Sequence, residues 1–149
     1  MSTDPSAIFR RYLSAMVLNS LATAEAAGLN TTDYYALNLL DLTGPLTSGE
    51  LAARTGLTTG ATTRLIDRLE RGGYVRRAPD PADRRKVIVE AAGEREELDE
   101  VLAGTRGRLA EVFQGYAEAE LATLFDYFGR ATTAYRAATD ELVTATRKA

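Results

Sequence analysis

The sequence predicts a chain that is mainly α with a small antiparallel β wing. Three observations predict it. Apolar residues recur every three or four positions along both flanks; a short helix and a longer one adjoin across Gly56; and after Gly72-Gly73 the period shifts to the alternation of strands. The 149 residues allow one domain with helical extensions and leave no room for a second full domain.

The first helix is expected from about Pro5 to Ala27, where Ile8, Tyr12, Leu13, Met16, Val17 and Leu21 follow helical intervals. Pro5 suits a first turn, and Gly28-Leu29-Asn30 suits an exit. A second helix is expected to begin near Thr32 as N-cap and to carry Tyr35, Leu37, Leu39, Leu40 and Leu42 up to the break at Gly44-Pro45. Next, Thr47 and Glu50 have the spacing of a capping box at the start of a short helix that Gly56 closes. Thr58 then caps a helix from Thr59 to about Arg71, and two helices joined by so tight a turn make a helix-turn-helix. Within the second, Thr62, Leu65, Ile66 and Leu69 fall at i, i+3, i+4 and i+7 and are predicted to face the core, leaving Thr59, Gly60, Thr63, Arg64, Asp67 and Arg68 outside.

Tyr74–Arg77 and Lys86–Val89 read as two strands, rich in β-branched and aromatic residues. The intervening Ala78–Arg85 holds two prolines and two aspartates, which favour a turn, so a hairpin with a basic rim results. Leu46 and its neighbours are placed to add a short third strand. From Gly93 the pattern is helical again, with Leu98, Val101, Leu102, Leu109, Val112 and Phe113 before Gly115 and Leu121, Leu124, Phe125, Phe128, Ala131, Tyr135 and Leu142 after it. Gly104 and Gly107 each cost about 1 kcal/mol relative to alanine and are expected to mark a bend or a close crossing. The chain therefore divides into helices over 1–43, the helix-turn-helix and hairpin over 44–92, and helices over 93–149.

The absence of cysteine and histidine removes disulfides, thiolate nucleophiles, thiol redox sensing and the commonest metal ligand. With no phosphate loop and no nucleophile elbow either, the expectation is no enzyme, no cofactor and no metal site. No apolar run approaches the roughly 18 residues that span a bilayer, and Met1–Ser6 leads into no secretory h-region, so a cytoplasmic location is expected. The net charge of −3 hides a separation of signs. Thr47–Glu90 carries nine basic side chains against six acidic ones, and the remainder carries nine against fifteen.

A basic middle with a helix-turn-helix points to DNA. Small hydroxyl residues and an arginine near the start of the second helix let it approach a major groove while offering donors, with Arg64 the foremost candidate for a base or phosphate contact. The same spacing also allows Arg64 and Arg68 to pair with Asp67 and Glu70 on a solvated face. At the hairpin tip Asp83-Arg84-Arg85-Lys86 concentrates charge where a thin turn enters a minor groove. Arg85 is the probe in this reading, Asp83 braces the loop, and Arg84 or Lys86 meets phosphate; a solvated charge run is the alternative. The candidate DNA-binding set is Thr47, Thr58, Thr59, Gly60, Thr63, Arg64, Arg68, Arg84, Arg85 and Lys86.

Leu46–Val89 resembles the DNA-binding region of the MarR family of bacterial regulators. The resemblance is strongest over residues 63–77, Thr63-Arg64-Leu65-Ile66-Asp67-Arg68-Leu69-Glu70-Arg71-Gly72-Gly73-Tyr74-Val75-Arg76-Arg77, and over the wing sequence Asp80-Pro81-Ala82-Asp83-Arg84-Arg85-Lys86-Val87. Two positions depart from it: Thr62 stands where a larger apolar residue is usual, and Glu90-Ala91 replaces a threonine-containing strand end. The resemblance implies a winged helix-turn-helix flanked by N- and C-terminal dimerisation helices, in a homodimer that sets two recognition helices about one DNA turn apart on a pseudo-palindromic site. Ile8, Tyr12, Met16 and Leu21, with Leu121, Phe125, Phe128 and Tyr135, agree with this, although an intrachain helical core would also use them.

The resemblance further implies release from double-stranded DNA by a small aromatic or phenolic effector, and repression is the expected sign of control because a dimer covering a promoter blocks polymerase without a further contact. By analogy Tyr12, Met16, Tyr34, Tyr35 and Tyr116 line its cleft; tyrosines at helical spacing equally suit a core or an interface. A thiol-oxidation trigger is physically unavailable without cysteine. The competing readings are a helical protein-interaction module without DNA binding, consistent with the acidic total and with Thr62, and an enzyme working through carboxylates or tyrosine.

Overall fold

The computed structural model describes residues 4–93 and 95–148. Its elements run α1 (Pro5–Ala26), α2 (Thr31–Thr43), β1 (Leu46–Thr47), α3 (Ser48–Thr55), α4 (Thr59–Arg71), β2 (Val75–Pro79), β3 (Val87–Ala91), α5 (Glu96–Gln114) and α6 (Glu118–Lys148). The chain divides into two units, Met1–Leu102 and Ala103–Ala149. The first joins α1 and α2 to the helix-turn-helix and its sheet.

Local hydrogen bonding explains most of the helix boundaries. Asp4 accepts from the amides of Ser6 and Ala7 ahead of Pro5 in the first turn of α1. The cap of α2 corrects the expectation of Thr32. Asn30, in an extended conformation, accepts from the Asp33 amide at 2.8 Å, so the helix already starts at Thr31 and Thr32 lies inside its first turn. Both halves of the capping box at α3 form: Thr47 Oγ1 accepts from the Glu50 amide at 3.2 Å, and Glu50 Oε2 accepts from the Thr47 amide at 2.7 Å. Gly56 ends α3 in the left-handed region with φ 72°, and Thr58 caps α4 by accepting from the Ala61 amide at 3.2 Å.

The three strands lie in the order β1-β3-β2, antiparallel throughout. Leu46 pairs with Val89 and Thr47 with Ile88, so the short third strand lies along β3 on the edge opposite β2, while Pro79 opposite Val87 marks where the β2–β3 ladder gives way to the tip.

The core gathers Leu37 and Leu40 of α2, Leu51 of α3, Leu65, Ile66 and Leu69 of α4 and Val89 of β3, each fully buried. Burial of side chains of this size stabilises by roughly 1.5–3 kcal/mol apiece relative to exposure. Thr62 belongs to the same face and is wholly enclosed, its hydroxyl donating to the Thr58 carbonyl at 2.9 Å. A buried hydroxyl at this departure from the family pattern is therefore satisfied rather than orphaned.

The flanking helices differ. In α1 the buried residues are Thr23 and Ala24, whereas Ile8, Tyr12, Met16, Val17, Leu18 and Leu21 remain exposed. An intrachain core thus does not cover that face. In the second unit Phe113 and Phe125 meet with ring centroids 5.6 Å apart and Phe125 lies edge-on to Phe128 at 6.2 Å, while Phe125, Tyr127, Tyr135 and Leu142 stay exposed. Helix α5 runs through Gly104 and Gly107 without interruption and ends before Gly115.

Candidate nucleic-acid interface

Helix α4 has two chemically opposite faces. Thr62, Leu65, Ile66 and Leu69 anchor it in the core, and Thr59, Gly60, Thr63 and Arg64 stand exposed on the other side of its N-terminal half. Thr63 Oγ1 donates to the Thr59 carbonyl at 3.0 Å. Among the described residues no carboxylate pairs with Arg64. Thr47 and Thr58, at the starts of α3 and α4, hold the two caps; the Thr47 hydroxyl also donates to Glu50 Oε2 at 2.9 Å.

Arg68 is placed differently from its neighbours on the sequence-derived outer face. Its guanidinium is turned to α2, where Nε donates to Asp33 Oδ2 at 2.8 Å and Nη2 to Asp33 Oδ1 at 2.7 Å. The Asp33 side chain is 4% exposed and that of Arg68 is 45% exposed. The hydrogen bond to Asp33 raises the Arg68 pKa above its ordinary value against the opposing cost of burial.

Pairing of Asp67 and Glu70 with Arg64 and Arg68 is not what forms. Both carboxylates belong to Arg77 of β2, whose Nη2 donates to Asp67 Oδ1 at 2.6 Å, whose Nη1 donates to Glu70 Oε2, and whose amide donates to Glu70 Oε1 at 3.3 Å. The physical reason is geometric: carboxylates at i and i+3 lie side by side, and a guanidinium arriving from the adjacent strand spans both. The hydrogen bond to Asp67, with Glu70 adding to it, raises the Arg77 pKa. Helix and wing are thereby joined by charge as well as by packing.

At the wing tip the Asp80 amide donates to the Lys86 carbonyl and the Lys86 amide to the Asp83 carbonyl, both at 2.9 Å, and Asp80 Oδ1 accepts from the Ala82 amide at 2.8 Å. Asp83 Oδ1 accepts from the amide and from Nε of Arg85, each at 3.2 Å. Arg85 nevertheless keeps 91% of its side chain exposed, and Arg84 and Lys86 are exposed beside it. The hydrogen bonds from the Thr47 amide and hydroxyl hold the Glu50 carboxyl below the usual carboxylate range, with the positive charges of Arg54 and Lys86 adding to this.

The candidate effector residues do not share one environment. Tyr12 and Met16 are exposed one turn apart on α1, Tyr35 is exposed on α2, and Tyr34 is buried in the core. Tyr116 is exposed in the second unit. Among the described residues there is no group of three or more carboxylates that could hold a metal ion, and no helix long and apolar enough to cross a membrane.

Long-range pairs that escaped sequence reasoning include Asp33 with Arg68, Arg76 with Glu90, and Asp41 with Arg95, whose guanidinium donates to both carboxylate oxygens at 2.9 Å. One signal was present for the first. Asp33 precedes Leu37 and Leu40 by four and seven residues, which sets a carboxylate on the apolar face of α2 and calls for a cationic partner.

The MarR family model matches residues 27–86. Among curated proteins the chain is 38% identical to YcgE, a Bacillus subtilis HTH-type transcriptional regulator, over 125 residues that make up 83% of this chain and 81% of that protein. A MarR-like transcriptional regulator from Thermotoga maritima superposes with a TM-score of 0.62 at 27% identity, covering 91% of this chain and 99% of that one. The fold is also that of an S. aureus MepR mutant bound to an oligodeoxyribonucleotide, with a TM-score of 0.58 at 17% identity over 90% of this chain and 99% of that one. With its helix-turn-helix, its paired wing and these relatives, the chain belongs to the MarR family of transcriptional regulators and carries that family's DNA-binding fold.

Proposed function

We propose that the protein is a cytoplasmic, homodimeric, ligand-responsive repressor that binds a pseudo-palindromic operator in double-stranded DNA. The observation that carries this reading is the division of α4. Its buried face fixes the helix, while Thr59, Gly60, Thr63 and Arg64 stand free on its leading half, the part that enters a major groove. In this reading Arg64 reaches a base edge or phosphate, Thr47 and Thr58 bring helix N-termini to the backbone, Arg85 probes the minor groove, and Arg84 and Lys86 meet phosphate. The oligonucleotide bound by the MepR mutant on the same fold supports the DNA assignment.

The exposed apolar residues of α1 and, separately, those of α6 support the homodimer, since large apolar side chains left uncovered along a helix suit an association face. A dimer seated across a promoter excludes polymerase without a further contact, which is why repression is the assigned sign. The effector reading draws on Tyr12, Met16 and Tyr35, exposed on α1 and α2, and takes a small aromatic or phenolic ligand as their match.

The test is a fluorescence titration with duplex from the protein's own promoter, run against a scrambled duplex at several salt concentrations, with light scattering on the free protein. A dimer that prefers its promoter by about 10³-fold or more, with affinity falling steeply as salt rises, is the expected result. A monomer at micromolar concentration, or binding that salt leaves unchanged, refutes the reading.

A further inference from the structure

The contact between Asp33 and Arg68 links two helices whose paired residues lie 35 positions apart in the chain. Asp33 sits in the first turn of α2 with its amide held by Asn30, and its carboxylate is almost wholly enclosed. Both carboxylate oxygens are taken by one guanidinium in a side-on fork. Such a fork fixes direction as well as distance, because the planar guanidinium has its donors at set angles.

A second contact pins the same corner. Tyr74, just beyond the end of α4, donates its hydroxyl to the Ala27 carbonyl at 3.2 Å, at the exit of α1. The corner between α1 and α2 is therefore tied to the trailing end of α4 at two points, one on its last turns and one beyond them. The exposed residues Thr59, Gly60, Thr63 and Arg64 occupy the leading half. At 1.5 Å per residue, Arg68 lies about 14 Å along the axis from Thr59, so a small shift where the helix is tied tilts the half that faces outward.

We propose that Asp33 is a positioning residue for DNA recognition: through Arg68 it sets the inclination of α4, and it commits that guanidinium to α2 instead of to DNA. The inference rests on the regulator reading above. It assigns Arg68 a role different from that of Arg64, although the two sit one turn apart on the same helix. It also makes α2 the element through which a displacement of α1 reaches the recognition helix.

The experiment uses the full-length protein and compares the unsubstituted chain with Asp33→Asn, Arg68→Lys and the double variant Asp33→Asn/Arg68→Gln. Each is titrated with its promoter duplex and with a scrambled duplex across a salt series, and its melting temperature is recorded. The expected result is a loss on the order of tenfold at the promoter duplex for Asp33→Asn, the worth of one directional base contact, with scrambled-duplex affinity and salt slope unchanged. Arg68→Lys keeps the charge but loses the fork and shows the same selective loss. The double variant is no worse than Asp33→Asn alone, because the two residues act as one unit.

Two outcomes overturn the proposal. If Arg68 variants weaken both duplexes equally, with the salt slope falling by about 0.9 in the double variant, Arg68 is a phosphate ligand. If the substitutions lower the melting temperature while promoter affinity and preference stay intact, the pair only stabilises the fold. Should Asp33→Asn fail to fold, Arg68→Lys carries the comparison, since the carboxylate there still faces a cation. A failure of the regulator reading is seen separately, as the unsubstituted protein showing no preference for its promoter duplex.

Discussion

Leu65 and Arg64 are neighbours in sequence with opposite surroundings, and substituting each by alanine tests the division of α4 directly. Leu65 is fully buried. Leu65→Ala removes three carbons at about 0.8 kcal/mol each. The incompletely collapsed cavity adds roughly 1–2 kcal/mol, for a total near 4 kcal/mol. For a chain of this size each kilocalorie moves the melting temperature by about 2–4 °C, so a fall on the order of 8–16 °C is expected. Arg64 is exposed and makes no ion pair among the described residues, so Arg64→Ala changes stability by about 0.5 kcal/mol at most. Its expected cost is to DNA binding, about 1–3 kcal/mol if it reads a base, or a salt slope lower by about 0.9 if it meets phosphate. The assays are thermal melting at one fixed protein concentration, because any self-association couples stability to concentration, and titration of the promoter duplex. Arg64→Ala that melts early yet binds normally, or Leu65→Ala that melts normally, would refute the two-faced helix.

Three further outcomes follow from the structure. Arg85→Ala should leave the melting temperature nearly unchanged, since its pair with Asp83 is exposed and the Arg85 amide keeps its own bond to that carboxylate, while promoter affinity falls by about 1–3 kcal/mol; equal binding by variant and parent in anisotropy titrations rules out the wing probe. Gly56→Ala should destabilise by about 1 kcal/mol in urea melts, because φ 72° strains any Cβ-bearing residue against its own backbone even though no more distant part of the chain crowds the added carbon; an unchanged midpoint counts against a left-handed cap. Glu50 has a folded pKa held below its unfolded value, so its contribution is present above the ordinary carboxylate range and is lost as pH falls through the folded value. Urea midpoints of the parent should exceed those of Glu50→Gln at neutral pH and converge with them in acid, and a gap that persists or widens in acid contradicts the capping role.

Much of the fold was legible because its signals are short-range. The capping box at Thr47 and Glu50, the left-handed Gly56 and the cap at Thr58 each involve residues within four positions, and local hydrogen bonding decides them whatever surrounds the chain. The buried face of α4 was equally readable, since Thr62, Leu65, Ile66 and Leu69 repeat at the period of the helix itself. The start of α2 was misplaced by two residues because Asn30, Thr31 and Thr32 are all able to cap, and the path of the chain leaving Gly28 decides between them.

The candidate site was legible only in outline. Periodicity put Arg64 and Arg68 on one face, and nothing in their spacing separates a free guanidinium from one committed to a buried carboxylate. That distinction arises from α2 packing beside α4, which brings Asp33 into reach from 35 residues away. Arg77 shows the same thing, taking Asp67 and Glu70 from the cations nearest them in sequence once β2 lies along α4. The sequence by itself determined the order of helices and strands, the caps of α3 and α4, which face of α4 is apolar and where positive charge collects, because backbone hydrogen bonds and side-chain periodicity act over a few residues. Only the tertiary structure decided which charges remain available to a partner, because ion pairing across elements depends on distances that chain order does not encode.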